Sequence, residues 1–298
     1  MTVINLDASH VIHTFSPAHP PVLEIESGST LTVETMDSYN NRFHRDTSIE
    51  RYLAERPHTP GNPATGPIYI RGVQPGDGLD IHIEGIQLTE TGYIAVMPGI
   101  GVMGDQDIQP ALASFYVREG ELCFGEKFRL PLRPNIGTIG VAPREGTISS
   151  LELGRHGGNL DCNEITTGAT LHLPVQAPGG LLAIGDVHAR MGYGEVYSGV
   201  NIAARVTMTV ERVAAPGWKW PWLETDEAIM TIGIAADIEG AVRIAVSEMT
   251  ALLMRHFDIS LTEAIALTGA ACDLRPGQTS VFGTNVSMLA VFPKHLMR

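Results

Sequence analysis

The chain has little to offer a nucleic acid or an anionic membrane. Its 20 lysines and arginines face 33 aspartates and glutamates, a formal charge of −13, whereas both partners are bound through dense basic surfaces. Cysteine is scarce. Cys123, Cys162 and Cys272 lie far apart, which excludes a disulfide framework and a C-x-x-C metal site. Long apolar runs are missing too, with nothing near the ~18 uninterrupted residues of a spanning helix. The opening segment MTVINLDASHVIHTF lacks the basic-then-apolar pattern of a secretory signal, so a soluble, cytoplasmic protein is expected. Charged residues make up only 18% but hydrophobic ones 44% of 298 residues. That is enough for a sizeable core in one large domain or two medium ones.

Glycine and proline are abundant, at 32 and 19 residues, and break the chain into short pieces. Between them lie strand-like runs: Pro21–Ile25, Thr30–Thr35, Pro67–Arg71, Leu79–Ile86, Gly92–Met97, Glu121–Phe124, Thr170–Pro174 and Val200–Glu211. Leu79-Asp80-Ile81-His82-Ile83-Glu84 alternates strictly, the mark of a half-buried sheet. Many short strands with Gly/Pro turns point to sandwiches or barrels. In Pro75-Gly76-Asp77-Gly78 proline presets φ and glycine accepts positive φ, so a turn is expected. Helix is expected only late. Ile238, Val242, Ala245, Met249 and Leu252 form one apolar stripe. A second helix starts at Ser260, with Glu263 completing a capping box, and ends near Gly269. Pro131 and Pro134 mark a soft boundary. The expectation is a β-rich part over 1–130 and a second over 131–298 carrying both helices, the two forming one composite unit. Trp218, Trp220 and Trp222 lie so close together that burial against a partner chain is expected.

The stretch Ile184–Glu195, IGDVHARMGYGE, concentrates the chemistry. An apolar run reaches Gly185 like a buried strand at its end, and residues two apart on an extended segment share a side. Asp186 and His188 can therefore converge, and Gly192 and Gly194 can bend the chain to return Glu195 to the same point. Two carboxylates and an imidazole can hold a metal or run acid–base chemistry; the plainer alternative is a strand-end cap beside a surface histidine. A second cluster, Gly154–Asp161 (GRHGGNLD), offers His156, Asn159 and Asp161 around a Gly-Gly pair, or else a flexible loop. A third, Glu34-Thr35-Met36-Asp37, ends a strand on an acid, or is simply a turn. The stretch Pro60–Pro67 is expected to shape a pocket rather than supply a catalyst. Cys162 beside Asp161 is expected to be a buried, inert thiol rather than a nucleophile, and no G-x-S-x-G elbow occurs.

NPATGPIYIRGVQPGDGLDIHI, GRHGGNLDCNEITTGATLHLPV and GDVHARMGYGEV, in this order, resemble the acetamidase/formamidase family. ETMDSYNNRF and IGTIGVAP fit it as well, and the resemblance runs from about Phe15 to Phe292. It implies a mainly β fold with jelly-roll-like and smaller α+β parts, and a dimer or higher homo-oligomer. It also implies a metal-associated hydrolase of short amides that releases ammonia. By position it brings Asp37 from the ETMD motif, His156, Asn159 and Asp161 from HGGN-x-D, Asp186 and His188 from GD-x-H, and Glu195. One departure stands out: relatives often carry GDGE where this chain has Gly192-Tyr193-Gly194-Glu195, one negative charge fewer beside the site.

An unreactive amide needs an activated water, a polarised carbonyl and a proton donor for its leaving nitrogen. We expect Asp37, Asp161, Asp186 and His188 as metal ligands, and Glu195, His188 and Asn159 as catalytic groups, with Glu195 carrying the proton. Zinc, which suits mixed imidazole and carboxylate ligands, is favoured; calcium, which prefers more oxygen, stays open. Small lactams are an alternative substrate class. A non-catalytic jelly-roll that binds calcium or a small molecule is the alternative of a different kind.

Overall fold

The computed structural model describes residues 3–43, 47–55, 61–279 and 284–297; Pro60, at the head of the pocket-shaping stretch, lies outside them. Strands dominate, as expected. The largest sheet has nine, in the order Ile4–Leu6, Ser29–Thr35, Ala204–Val213, Gly78–Leu88, Thr170–Pro174, Trp222–Glu224, Ala228–Ala235, Val286–Pro293 and Asp273–Pro276. Alternation decides its faces: Leu79, Ile81 and Ile83 are fully buried while Asp80, His82 and Glu84 turn outward. A second sheet runs Leu153–Gly154, Gly157–Asn159, Asn135–Gly140, Leu182–His188, Ala64–Ile70 and Val11–Ile12, with Leu23–Ile25 also pairing the Ala64–Ile70 strand. Inner faces of the two sheets share one apolar core, in which Val33, Ile81 and Val206 meet Ile68, Ile139 and Ile184. A four-stranded meander, including Thr91–Val96 and Ala111–Arg118, and a two-stranded pair of Thr14–Phe15 with Ile148–Ser149 make up the remaining β structure among the described residues.

The strands Asn135–Gly140 and Leu182–His188 pair antiparallel at the centre of the second sheet, and every residue in both is buried. They nonetheless carry Asn135, Thr138, Asp186 and His188. Polar groups are costly to bury without partners, so these strands are where function is to be sought.

Among the described residues there are three α-helices and one 3-10 turn, Lys294–Leu296. The short α1, Ile49–Glu55, has no counterpart in the sequence reading. Helices α2, Ile238–Phe257, and α3, Leu261–Ala271, fall where periodicity places them, and Ser260 and Glu263 form the expected capping box. One detail differs. The buried stripe of α2 is Ala241, Ala245, Met249 and Leu253, while Ile238 is 53% exposed. Gly233 in the strand beneath is the reason, because a Cβ there would overlap the Ala241 carbonyl and the Ala245 amide. Closest approach thus selects the small residues over the large ones. Gly233→Ala is expected to lower stability by about 1–3 kcal/mol, the usual cost of overpacking, as a reduced midpoint in denaturant unfolding with an unchanged slope.

The expected turn at Asp77 is pinned from a distant strand. Its carboxylate accepts from Arg212 Nε at 2.7 Å and Nη2 at 3.3 Å, and from the amides of Gln74 and Ala215. The Arg212 bond, ahead of the Coulombic attraction, holds Asp77 below its usual value of 3.8. A depressed carboxylate stabilises the fold above its unfolded pKa and loses that contribution as pH falls through the folded one. Asp77→Asn should cost about 1–2 kcal/mol at pH 7, discounted for the half-exposed arginine. Unfolding titrations should show this gap narrowing below about pH 4.

The tryptophans are engaged within the chain. Trp222 stacks on His172 at 3.6 Å between ring centres, Trp218 meets the same ring edge-on at 5.3 Å, and Arg155 lies over Trp220. With Leu252 of α2 they line a cavity of about 690 Å³. It shares no residue with the polar group on the central strands. No helix among the described residues is long and apolar enough to cross a membrane.

Candidate metal centre

Asp186 and His188 close the central strand, and Asp161 follows the Gly157–Asn159 strand. One ligand atom from each of the three lies within 4.8 Å of the others, and all three residues are buried. His188 Nε2 is 3.5 Å from Asp186 Oδ1, and its Nδ1 is 3.9 Å from Asp161 Oδ1. The ring thus lies between the two aspartates, and one of its nitrogens with one oxygen of each falls within the spread of ligands around a single ion held at ~2.0–2.6 Å.

Each carboxylate is oriented through one oxygen and leaves the other unused. Asp161 Oδ2 accepts from Asn159 Nδ2 at 2.6 Å and from Gln278 Nε2 at 2.9 Å; Asp186 Oδ2 accepts from Asn62 Nδ2 at 2.7 Å. Asn159 Oδ1 in turn accepts from Thr138 Oγ1 at 2.6 Å and Asn62 Nδ2 at 3.0 Å. Left without any hydrogen-bond partner are Asp161 Oδ1, Asp186 Oδ1, His188 Nδ1 and Glu195 Oε2. Unsatisfied buried polar atoms are rare and call for an explanation. Four from one neighbourhood, three of them carboxylate oxygens, fit a bound cation.

Backbone and packing support the same reading. Asp161, Asp186 and Glu195 have φ of +42°, +51° and +41°. For residues other than glycine such values are sparsely populated and cost on the order of 1–3 kcal/mol each, a strain that clusters at functional sites. Gly137 forms a floor, since a Cβ there would stand 2.6 Å from Asp161 Oδ1 and 3.0 Å from His188 Cε1.

The electrostatics are those of crowded acids. Burial, then the Asp186 charge, push Asp161 up to about 6. Burial and the Asp161 and Asp186 charges push Glu195 well above the carboxylate range. Burial opposes the charged form of His188, but the two aspartates outweigh it and the imidazole is net raised.

The remaining expected residues fall elsewhere. His156 packs edge-on against Phe15 with its ring centre 5.2 Å away, its Nε2 has no partner, and burial lowers it to about 4, a neutral ring outside the close group. Asp37 is buried outside that group, with Oδ1 accepting from the amides of Tyr39 and Asn41. The Tyr39 phenol, raised first by burial, feels both Asp37 and Asp186. Asn159 has both ends of its amide engaged. Cys162 is a buried thiol, raised by burial and then by Glu164. Asn62 stands in the stretch read only as pocket-shaping, yet it holds a ligand carboxylate. Gln278 carried no sequence signal, as no motif surrounds it and it reaches Asp161 across 117 residues. Asn135, in register with His188, is fully buried with neither amide atom partnered.

A β-sheet protein with a buried carboxylate–imidazole centre is the class these features define. The acetamidase/formamidase family profile matches residues 4–152 and 147–216, and the chain belongs to this family of amidohydrolases. Two solved structures are similar over nearly their whole length. An acetamidase/formamidase of Thermoanaerobacter tengcongensis is 35% identical with a TM-score of 0.92, covering 99% of this chain and 97% of its own. An acetamidase of Bacillus halodurans is 33% identical with a TM-score of 0.91, covering 98% of each. A Schizosaccharomyces pombe protein named as a formamidase is 26% identical over 253 residues, a match spanning 64% of this chain and 61% of that protein.

Proposed function

We propose that the protein hydrolyses short linear amides of the formamide and acetamide kind to carboxylate and ammonia, with a divalent ion held by Asp161, Asp186 and His188. The observation that carries this reading is the set of four unpartnered atoms on Asp161, Asp186, His188 and Glu195. A divalent ion bound there supplies an acidified water and a polarised carbonyl. Two carboxylates with one imidazole favour zinc and leave calcium open. Asp37, buried near a tyrosine that also feels Asp186, is a candidate further ligand.

The chain's own groups account for the proton. Burial and the Asp161 and Asp186 charges raise the proton affinity of Glu195, so its ionised carboxylate is a strong base. It takes the proton of the attacking water and passes it to the amide nitrogen as the C–N bond breaks, so that ammonia departs rather than amide ion. Asn159, Asn62, Thr138 and Gln278 fix the carboxylates. Asn159 is thus given a positioning rather than a proton-transfer role. The unused Asn135 amide complements the donor and acceptor of a primary amide. Formamide, acetamide, longer amides and small lactams, assayed for ammonia and carboxylate together, test the proposal. Equal amounts of both from the two shortest linear amides are expected, and no turnover of any amide would overturn it.

A further inference from the structure

Tyr193 lies in the loop between His188 and Glu195, and its hydroxyl is bonded on both sides. It donates to Glu164 Oε1 at 2.5 Å and accepts from Arg133 Nη2 at 2.5 Å. Glu164 Oε1 also accepts from Arg275 Nη1 at 3.2 Å. Both guanidinium groups lie against the Tyr193 ring, 4.6 Å and 6.0 Å from its centre. The Glu164 carboxylate is only 8% exposed, so the bond it takes from the phenol is shielded from competing water. One residue further on, the Gly194 carbonyl accepts from the amide and hydroxyl of Thr279 at 3.1 and 2.7 Å. Three segments distant in sequence, at Arg133, Glu164 and Arg275–Thr279, thus converge on this loop.

The loop needs such restraint. Glycines on both sides of Tyr193 leave the backbone free, while Glu195 is held at a φ of +41°. Strained backbone persists only where its surroundings over-determine it. We propose that Tyr193, clamped by Arg133, Glu164 and Arg275, is a positioning residue that fixes the Glu195 loop for amide hydrolysis. Its catalytic part rests on the role given above to Glu195.

Hydrogen exchange, metal analysis and acetamide kinetics on the wild-type protein and Tyr193→Phe test this together. Exchange reads the loop without reference to activity, because the amides of Glu195 and Val200 are bonded to Gly192 and Arg190 across its base. Tyr193→Phe should speed exchange over 190–200 by about tenfold or more while the Leu182–His188 strand stays protected. It should lower kcat about tenfold, as small misplacements of reacting groups do, with KM within about twofold and metal content unchanged. Should the phenylalanine variant not fold, Arg133→Gln removes one arm of the clamp and is held to the same readouts. Unchanged loop exchange overturns the clamp whatever the activity. Faster exchange with wild-type kcat overturns its positioning role. An inactive wild-type protein overturns the amidase reading and the catalytic half of this inference with it.

Discussion

His188→Ala and Asp186→Asn are expected to lose bound metal and amide turnover together. Each removes an atom that has no other partner in the fold, Nδ1 of the imidazole or Oδ1 of the carboxylate. Losing a residue that merely orients a ligand typically costs 10- to 100-fold in metal affinity, so losing a ligand should cost more than about 100-fold. The metal-free proteins supply a second readout of opposite sign. Without an ion, Asp161, Asp186 and Glu195 crowd one buried space and repel, which adds to burial in raising Asp161 and Glu195. Asp186→Asn relieves that repulsion and should leave the metal-free melting temperature unchanged or higher. Metal should raise the wild-type melting temperature, since an ion that binds only the folded state stabilises it, and that rise should vanish in the variant. Asp186→Asn with full metal content would remove Asp186 from the ligand set.

Glu195→Gln is expected to lower turnover by about 10² to 10⁴, the range for loss of a general acid–base group, while metal content is kept. Glutamine preserves the volume. Its amide carries an N–H donor where the protonated carboxyl carries an O–H, so the pocket should not reorganise. What it cannot do is accept a proton from water and release it to nitrogen. Near-normal turnover would take Glu195 out of the proton path, and a folded variant lacking the ion would make it a ligand instead.

Much of this was open to a reading of residue order. Alternation from Leu79 to Glu84 fixes which face is buried because strand side chains repeat every two residues. The capping box is local, so Ser260 and Glu263 announce it. Asp186 and His188 share a strand, and both glycine-rich loops mark where acids return to it. Other features depend on approach between distant segments. Gly233 shifts the buried stripe of α2 through a contact no helical periodicity encodes. Asn62 reaches Asp186 across 124 residues, and Gln278 reaches Asp161 from the far end of the chain. Tyr193, a departure by charge in the sequence, acquires its bonding partners only in the fold. His156 shares a motif with Asn159 and Asp161 yet packs on Phe15, because neighbours in a glycine-rich turn need not point one way.

The most direct measurement is ammonia release from formamide and acetamide by the purified protein before chelation, after it, and after one equivalent of divalent ion is restored. Activity is expected to fall to background when the ion is stripped and to return with it, in proportion to occupancy, with no return in His188→Ala. Full activity in chelated protein shown by elemental analysis to be metal-free would contradict metal-dependent hydrolysis.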